Sequence, residues 1–418
     1  MALMTGAQYE ESLRKKNFKV YFMGEEVKNT VDHPVFRPSM NAVKRTYELA
    51  QDPQYEDLMT AISNLSGEKI NRFTHIHQST EDLVKKVKML RLMGRETASC
   101  FQRCAGLDAV NAVYAVTYEM DQELGTDYHQ RFVSWFREFQ LADEVVSACM
   151  TDPKGDRSKG PNEQPDPDLF VHVVEKRKDG IIVRGAKCHI TGALNSHWAL
   201  VVPTMAMKPE HADYAVGFIT RSDAEGIIYI YGRQSCDTRK FEPDAEIDLG
   251  NSQFGGMEAL MVFNDVFVPW ENVIMCGETE YAGRLVERFA GYHRVSYGGC
   301  KVGVGDVLIG AAALAAEYHG TEKPSHIKEQ IIEMIHLNES LYACGIAASC
   351  EGYKSACGSY MIDLLLGNVC KLNVTRFPYE IARLAEDIAG GLMVTLPSEQ
   401  DLRHPVAGEF MRKYFQAV

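Results

Sequence analysis

The feature that most constrains this chain is a double change of hydrophobic period. Helical spacing fills the first third, short β-branched runs fill the middle, and helical spacing returns to the end. Apolar residues three and four apart bury one stripe of a helix, whereas a period of two buries one face of a strand. Ser79-Thr80-Glu81-Asp82 supplies hydroxyl caps and first-turn acids, and leads into Leu83, Val87 and Leu90 on the way to Cys100. The stretches 41–51, 108–124 and 128–141 read as further helices. From about 144 to 274 the runs shorten. Phe170-Val-His-Val-Val and Gly180-Ile-Ile-Val-Arg, joined through Lys-Asp-Gly, predict a hairpin. Further strands are expected near Leu200, Tyr214, Gly226 and Ala259, and an exposed loop over 158–168. Long helices then cover 281–318 (with a break expected at Gly298-Gly299), 327–353 and 359–386, punctuated by Pro324 and Pro378. The expected units are 1–142 helical, 143–275 β, and 276–418 a helical bundle.

Composition excludes several classes. The 418 residues suffice for two or three domains. A net charge of −13 argues against nucleic acid, which needs clustered Lys and Arg. The longest apolar run, near 307–316, falls short of the ~20 residues a membrane span needs. The N-terminus reaches Glu10 and Glu11 without a basic segment and apolar core, so a cytoplasmic location is expected. Eleven Cys is an odd count in a long chain, which disfavours a disulfide framework. Cys149, Cys188, Cys236, Cys276, Cys344, Cys350, Cys357 and Cys370 are read as small buried hydrophobes.

Two constellations carry chemistry. Cys100 and Cys104 stand four apart, a spacing that shares a helix face. His293 and Cys300 stand nearly two turns apart, with Tyr297 between them. Two helices would thus present thiols and one imidazole to a common centre, chemistry suited to an iron–sulfur cluster or zinc. A Cys-x₃-Cys pair also arises by chance among eleven Cys, so spacing alone leaves both readings open. The second constellation is Met150-Thr151-Asp152-Pro153-Lys154-Gly155-Asp156 with Lys187-Cys188-His189-Ile190-Thr191-Gly192. Such a turn offers backbone N–H groups and hydroxyls to the polar edge of a planar cofactor, or is an ordinary Pro-Gly loop. Gly303-Val-Gly305, with Gly310 beyond, lacks the strand–turn–helix setting of a dinucleotide fingerprint and reads as helix packing. His75-Ile-His77 reads as a solvated segment ahead of a helix.

The second constellation resembles the flavin-lining segments of the acyl-CoA dehydrogenase superfamily, and the order of units agrees. The N-terminal Thr5-Gly6, Tyr9, Ser12-Leu13-Arg14, Val20-Tyr21, Gly24 and His33-Pro34-x-Phe36 are similar to its 4-hydroxyphenylacetate hydroxylase branch. Cys100, Cys104, His293 and Cys300 resemble the cluster ligands of the 4-hydroxybutyryl-CoA dehydratase group within that branch. The likeness runs on through Ile388-Ala-Gly-Gly391 and Leu402-Arg-His-Pro405. It implies an α+β fold, acyl-CoA dehydrogenase-like, with an N-terminal helical domain, a middle β-barrel-like domain and a C-terminal four-helix bundle. Members of the group continue past the position of Val418 and carry a candidate glutamate there, so the bundle is expected to be incomplete at its C-terminus.

The resemblance also implies an activity. The group dehydrates 4-hydroxybutyryl-CoA to crotonyl-CoA and isomerises vinylacetyl-CoA, using FAD and a [4Fe–4S] cluster. The route it implies removes the C2 proton, oxidises the enolate by one electron at the flavin, expels the C4 hydroxyl and returns the electron. On this reading Cys100, Cys104 and Cys300 are thiolate ligands, and His293 is a replaceable ligand that doubles as a base. Tyr297 faces the leaving group, and Glu258 and Lys301 are acid–base or substrate contacts. Met150, Thr151, Asp152, Pro153, Gly155, Asp156, Lys187 and Thr191 hold the flavin. A homotetramer is expected. The competing readings are a flavin-dependent aromatic monooxygenase, a plain acyl-CoA dehydrogenase, and a non-catalytic flavin- or zinc-binding protein.

Overall fold

The structure is a computed structural model that describes residues 3–233, 242 and 246–416. Cys236 lies outside them. The N-terminal part carries helices α1 (Gly6–Arg14), α2 (Arg37–Gln51), α3 (Glu56–Met59), α4 (Thr80–Thr97), α5 (Arg103–Leu124) and α6 (Tyr128–Ala142). Among these helices lie the short strands β1 (Val20–Phe22), β2 (Glu25–Val27), β3 (Thr60–Ile62) and β4 (Lys69–Asn71). The middle part contributes β5 (Val146–Cys149), β6 (His172–Lys176), β7 (Gly180–Thr191), β8 (Trp198–Val201), β9 (Val216–Arg221), β10 (Ile227–Tyr231), β11 (Glu258–Pro269) and β12 (Val273–Cys276). Beyond it run α7 (Thr279–Tyr318), α8 (Ser325–Cys350), the small hairpin β13 (Tyr353–Lys354) and β14 (Tyr360–Met361), α9 (Leu364–Val374) and α10 (Phe377–Ala389). The short α11 (Leu392–Thr395), α12 (Glu399–Arg403) and α13 (Ala407–Tyr414) follow.

The middle strands form two sheets, ordered β2-β1-β10-β11-β7-β6 and β12-β9-β8-β5. The predicted hairpin is present as antiparallel β6 and β7. Tyr9, Phe36 and Tyr47 from the N-terminal helices join Val183, Phe218 and Phe263 in one buried core, which fastens the helical layer to the sheets. Strand β1 pairs in parallel with β10, so the N-terminal segment completes the larger sheet. Three residues offer too little period to reveal that from sequence.

Several expectations are corrected. Helix α7 is continuous through Gly298-Gly299. Those glycines serve close approach: a Cβ on Gly298 would lie 2.8 Å from Gly345 Cα, and one on Gly299 2.4 Å from Val87 O. The stretch expected over 359–386 divides into α9 and α10, with Pro378 in the first turn of α10 where its missing N–H costs nothing. His75 and His77 are buried, not solvated; burial and the nearby Lys86 charge hold His77 well below the usual histidine range. Cys350 is exposed, against the expectation of a buried hydrophobe, while Cys149 and Cys370 are buried as expected.

Helix α7 also holds an 18-residue window of mean hydropathy 1.5, long and apolar enough to cross a membrane by length and composition alone. No single apolar run in the sequence revealed it, because Lys301 and Asp306 interrupt the stretch. In the fold α7 packs against α4, α5, α8, α9 and α10 as the central helix of the assembly.

Candidate active site

Helix α4 ends at Ala98, whose φ of 46° is left-handed, and the chain reverses through Gln102 at φ 68° before α5 begins at Arg103. Cys100 therefore lies in a loop, and the shared helix face expected for Cys100 and Cys104 is absent. The turn itself brings them together. Gln102 pins the turn by donating to Ser39 O at 2.9 Å and accepting from Asn195 Nδ2 at 2.7 Å. His293, Tyr297 and Cys300 share one face of α7, as their spacing predicted.

These residues line one cavity of about 230 Å³. Cys100, Cys104 and Cys300 meet there with His293, Tyr297, Lys301, Glu258 and Thr191. Phe101, Ala105 and Val304 supply its apolar wall, and Ser99 its rim. Burial pushes the Cys300 thiol up to about 12, and raises those of Cys100 and Cys104, the latter also through the neighbouring thiols. The Tyr297 phenol is raised by burial and then by the three Cys. Burial raises Glu258 as well, against the opposing pull of a 2.6 Å hydrogen bond from Thr191 Oγ1 and the Lys301 charge. Beneath His293, Asp108 has no solvent exposure and pairs with Lys86, also fully buried. Burial alone would raise Asp108, but Lys86 and His293 hold it below the usual carboxylate value.

Three thiols and one imidazole lining one cavity are the donor chemistry that a thiolate-ligated cluster takes. Among the described residues no three His, Cys, Asp or Glu converge tightly enough for a single metal ion.

The other predicted residues lie apart from this cavity. Lys187 Nζ is buried and donates to Met150 O (2.9 Å), Asp152 Oδ1 (2.5 Å) and Val202 O (2.9 Å). The Lys187–Asp152 pair thus closes the base of the 150–156 loop. Thr151 and Pro153 stay half-buried and Gly155 exposed at its rim, so backbone groups there remain open to a ligand edge. Asp156 caps its own turn, accepting from Ser158 Oγ at 2.6 Å. Of this set Thr191 alone reaches the cavity. Sequence reasoning missed Asp108, although it lies four residues after Cys104 on α5, and Lys86. A separate apolar cavity of about 320 Å³, between Asp248 and Phe415, carries none of the thiol set.

Helices packed on two β-sheets, with three thiols and an imidazole gathered in one cavity, define the class of site this chain builds. The chain belongs to the 4-hydroxyphenylacetate 3-hydroxylase family, its N-terminal model matching residues 5–275 and its C-terminal model residues 282–418. It is 62% identical over 424 residues to a 4-hydroxybutyryl-CoA dehydratase/vinylacetyl-CoA-Δ-isomerase of Clostridium aminobutyricum, covering 100% of this chain and 86% of that protein. An oxygen-tolerant archaeal 4-hydroxybutyryl-CoA dehydratase from N. maritimus superposes with a TM-score of 0.96 at 54% identity, covering 100% of this chain and 82% of that one. The oxygenase component of a 4-hydroxyphenylacetate 3-monooxygenase complexed with FAD superposes at 0.86 with 25% identity, covering 99% and 85%. Likeness of fold alone extends to glutaryl-coenzyme A dehydrogenase, at 13% identity and a TM-score of 0.55 over 97% of this chain and 89% of that one.

Proposed function

We propose that this chain dehydrates 4-hydroxybutyryl-CoA to crotonyl-CoA and isomerises vinylacetyl-CoA, with FAD and a [4Fe–4S] cluster held by Cys100, Cys104, His293 and Cys300. The supporting observation is one cavity that gathers three thiols, an imidazole and an acid–base set, in a chain 62% identical to a relative of that name. Met150, Thr151, Asp152, Pro153, Gly155 and Asp156, with Lys187 and Thr191, form the flavin's cradle. We take the chain as three units, 1–142, 143–275 and 276–418, the last a four-helix bundle. When bound, the flavin supplies one-electron oxidation and re-reduction, and the cluster a Lewis-acidic iron.

The chain's own groups do the rest. Glu258, its carboxyl raised by burial, is suited to exchange a proton with a substrate carbon. Thr191 fixes its orientation. The Tyr297 phenol stays protonated and donates to the departing oxygen. Lys301 brings positive charge to a cavity that becomes anionic as its thiols ionise. His293, the one imidazole among thiols, is the weak ligand and the base when released. Phe101 and Val304 exclude water from the reacting atoms.

The enzyme is read as cytoplasmic and homotetrameric. Leu365, Val369 and Leu372 form an exposed stripe on α9, and Val307 and Leu314 another on α7. Only 28% of the apolar window of α7 is buried within one chain, a surface that a second copy would cover.

Anaerobic iron and acid-labile sulfide analysis with a visible spectrum tests the reading. About four irons and four sulfides per chain beside a flavin band are expected. Flavin without iron would remove it in favour of an aromatic monooxygenase, and zinc without flavin would sink both.

A further inference from the structure

We propose that Asp108, backed by Lys86, sets the tautomer and orientation of His293, so that its Nε2 alone faces the cavity as an iron ligand. The inference rests on the cluster reading above. Asp108 lies on α5 one turn beyond Cys104 and has no solvent exposure. Its Oδ2 stands 2.9 Å from His293 Nδ1 and accepts a second bond from Ser296 Oγ at 2.8 Å. Its Oδ1 accepts from Lys86 Nζ, which also donates to Tyr292 O at 3.0 Å.

An ionised carboxylate only accepts, so the ring proton of His293 sits on Nδ1 and the free lone pair on Nε2. The ring is held on its other sides too. Phe289 stacks on it at 5.4 Å with 17° between planes, and Tyr297 meets it edge-on at 5.0 Å. A carboxylate behind a ligating histidine raises the basicity of the metal-facing nitrogen. Lys86 holds the other carboxylate oxygen, so Asp108 stays ionised and fixed behind the ring. The outcome is an imidazole held in place yet weaker than the three thiolates around it, as a ligand that must yield to substrate requires. Lys86 and Asp108 are positioning residues; neither lines the cavity.

The test uses anaerobically purified holoenzyme carrying ¹⁵N-histidine, as wild type, as Asp108→Asn, and as the double variant Lys86→Met/Asp108→Asn. Nitrogen hyperfine coupling to the reduced cluster is read by pulsed EPR, beside iron content, melting temperature, kcat and KM. The single variant leaves the Lys86 charge buried without its carboxylate, with only Tyr292 O to accept from it, and is the one at risk of misfolding. The double variant removes both charges together and is expected to keep the fold. In it the coupling is expected to weaken or split, since a neutral amide can present either its oxygen or its NH₂ to Nδ1 and no longer fixes one tautomer. Iron stays near the wild-type amount on three thiolates, and kcat falls about 10- to 100-fold with a smaller change in KM. A folded double variant with full iron, unchanged coupling and unchanged kcat overturns the inference. So does a wild type that holds iron but shows no histidine coupling. A wild type without iron overturns this inference and the cluster reading together.

Discussion

Thr191 and Glu258 are directly opposed across β7 and β11, and the Thr191 hydroxyl donates to Glu258 Oε1 at 2.6 Å. The register of two long strands therefore delivers an oriented carboxyl to the cavity wall. Burial raises Glu258, and the Thr191 bond and the Lys301 charge lower it. Removing the bond in Thr191→Val leaves the ionised form less stabilised, so the carboxyl rises further. Where ionised Glu258 takes the proton, the acidic limb of the kcat/KM profile moves to higher pH. Glu258→Gln loses about 10²- to 10⁴-fold in kcat, the range for a general acid–base group. A pH–rate profile of Thr191→Val that superposes on wild type would refute the coupling.

His197 links the N-terminal helix to the sheets and makes folding sensitive to acid. Its Nδ1 accepts from Val145 N at 3.0 Å, so its proton sits on Nε2, 2.7 Å from Ser12 Oγ. Burial pushes its pKa from 6.5 down to about 4. Between those values the unfolded chain binds the proton and the folded chain does not, so stability is full above about 6.5 and falls as the pH drops towards 4. The loss over that window is about 3 kcal/mol. Denaturant melts at pH 7, 5.5 and 4 should show this slope in wild type and a flatter one in His197→Asn.

Much of this arrangement is legible in the sequence where a period or a cap carries the information. Ser79 caps α4 by accepting from Asp82 N at 3.2 Å, as its residue type predicts. Seven-residue spacing placed His293 and Cys300 on one face of α7. What stayed hidden depends on long-range contacts. Gln102 keeps its positive φ where Ser39, Asn195 and Gly255 hold it from distant parts of the chain, and no local signal marks that turn. Cys100 and Cys104 do line one cavity, but through a turn and not through the shared helix face that their spacing predicts. Lys86 looks like any lysine on an amphipathic helix until Asp108 is known to lie beside it. His75 and His77 look solvated until the β13–β14 hairpin closes beside them, Tyr360 N donating to His77 O at 2.8 Å.

The exposed stripe on α9 makes the proposed self-association testable. Leu365 and Leu372 are 71% and 51% exposed and lie seven residues apart, on the same face as Val369. Charge placed there should not disturb the monomer's core, but it would oppose burial against another copy. Leu365→Glu/Leu372→Glu is expected to shift the sedimentation coefficient towards a smaller species while the far-ultraviolet circular dichroism stays that of wild type. An unchanged sedimentation profile would mean that this face is not an interface.

The contact between α4 and α7 sets the spacing of the cavity through glycine. A Cβ on Gly303 would lie 2.2 Å from Arg91 O and 2.8 Å from Gly94 Cα; one on Gly94 would meet Cys300 O at 2.5 Å. Backbone cannot yield as a flexible side chain can, so Gly303→Ala must push the two helices apart. Overpacking of this kind costs about 1–3 kcal/mol. The displaced helix carries Cys300 and His293, whereas Cys104 stays on α5, so bound iron should fall together with the melting temperature. Gly310, on the same helix, has nothing within 4 Å of its missing Cβ. Gly310→Ala should therefore stabilise, by up to about 1 kcal/mol from helix propensity alone, and leave iron content unchanged. Opposite signs for two identical substitutions seven residues apart on α7 would show that contact, not propensity, governs the first. Equal stabilisation by both would show that α4 and α7 are not held at the distance the glycines permit.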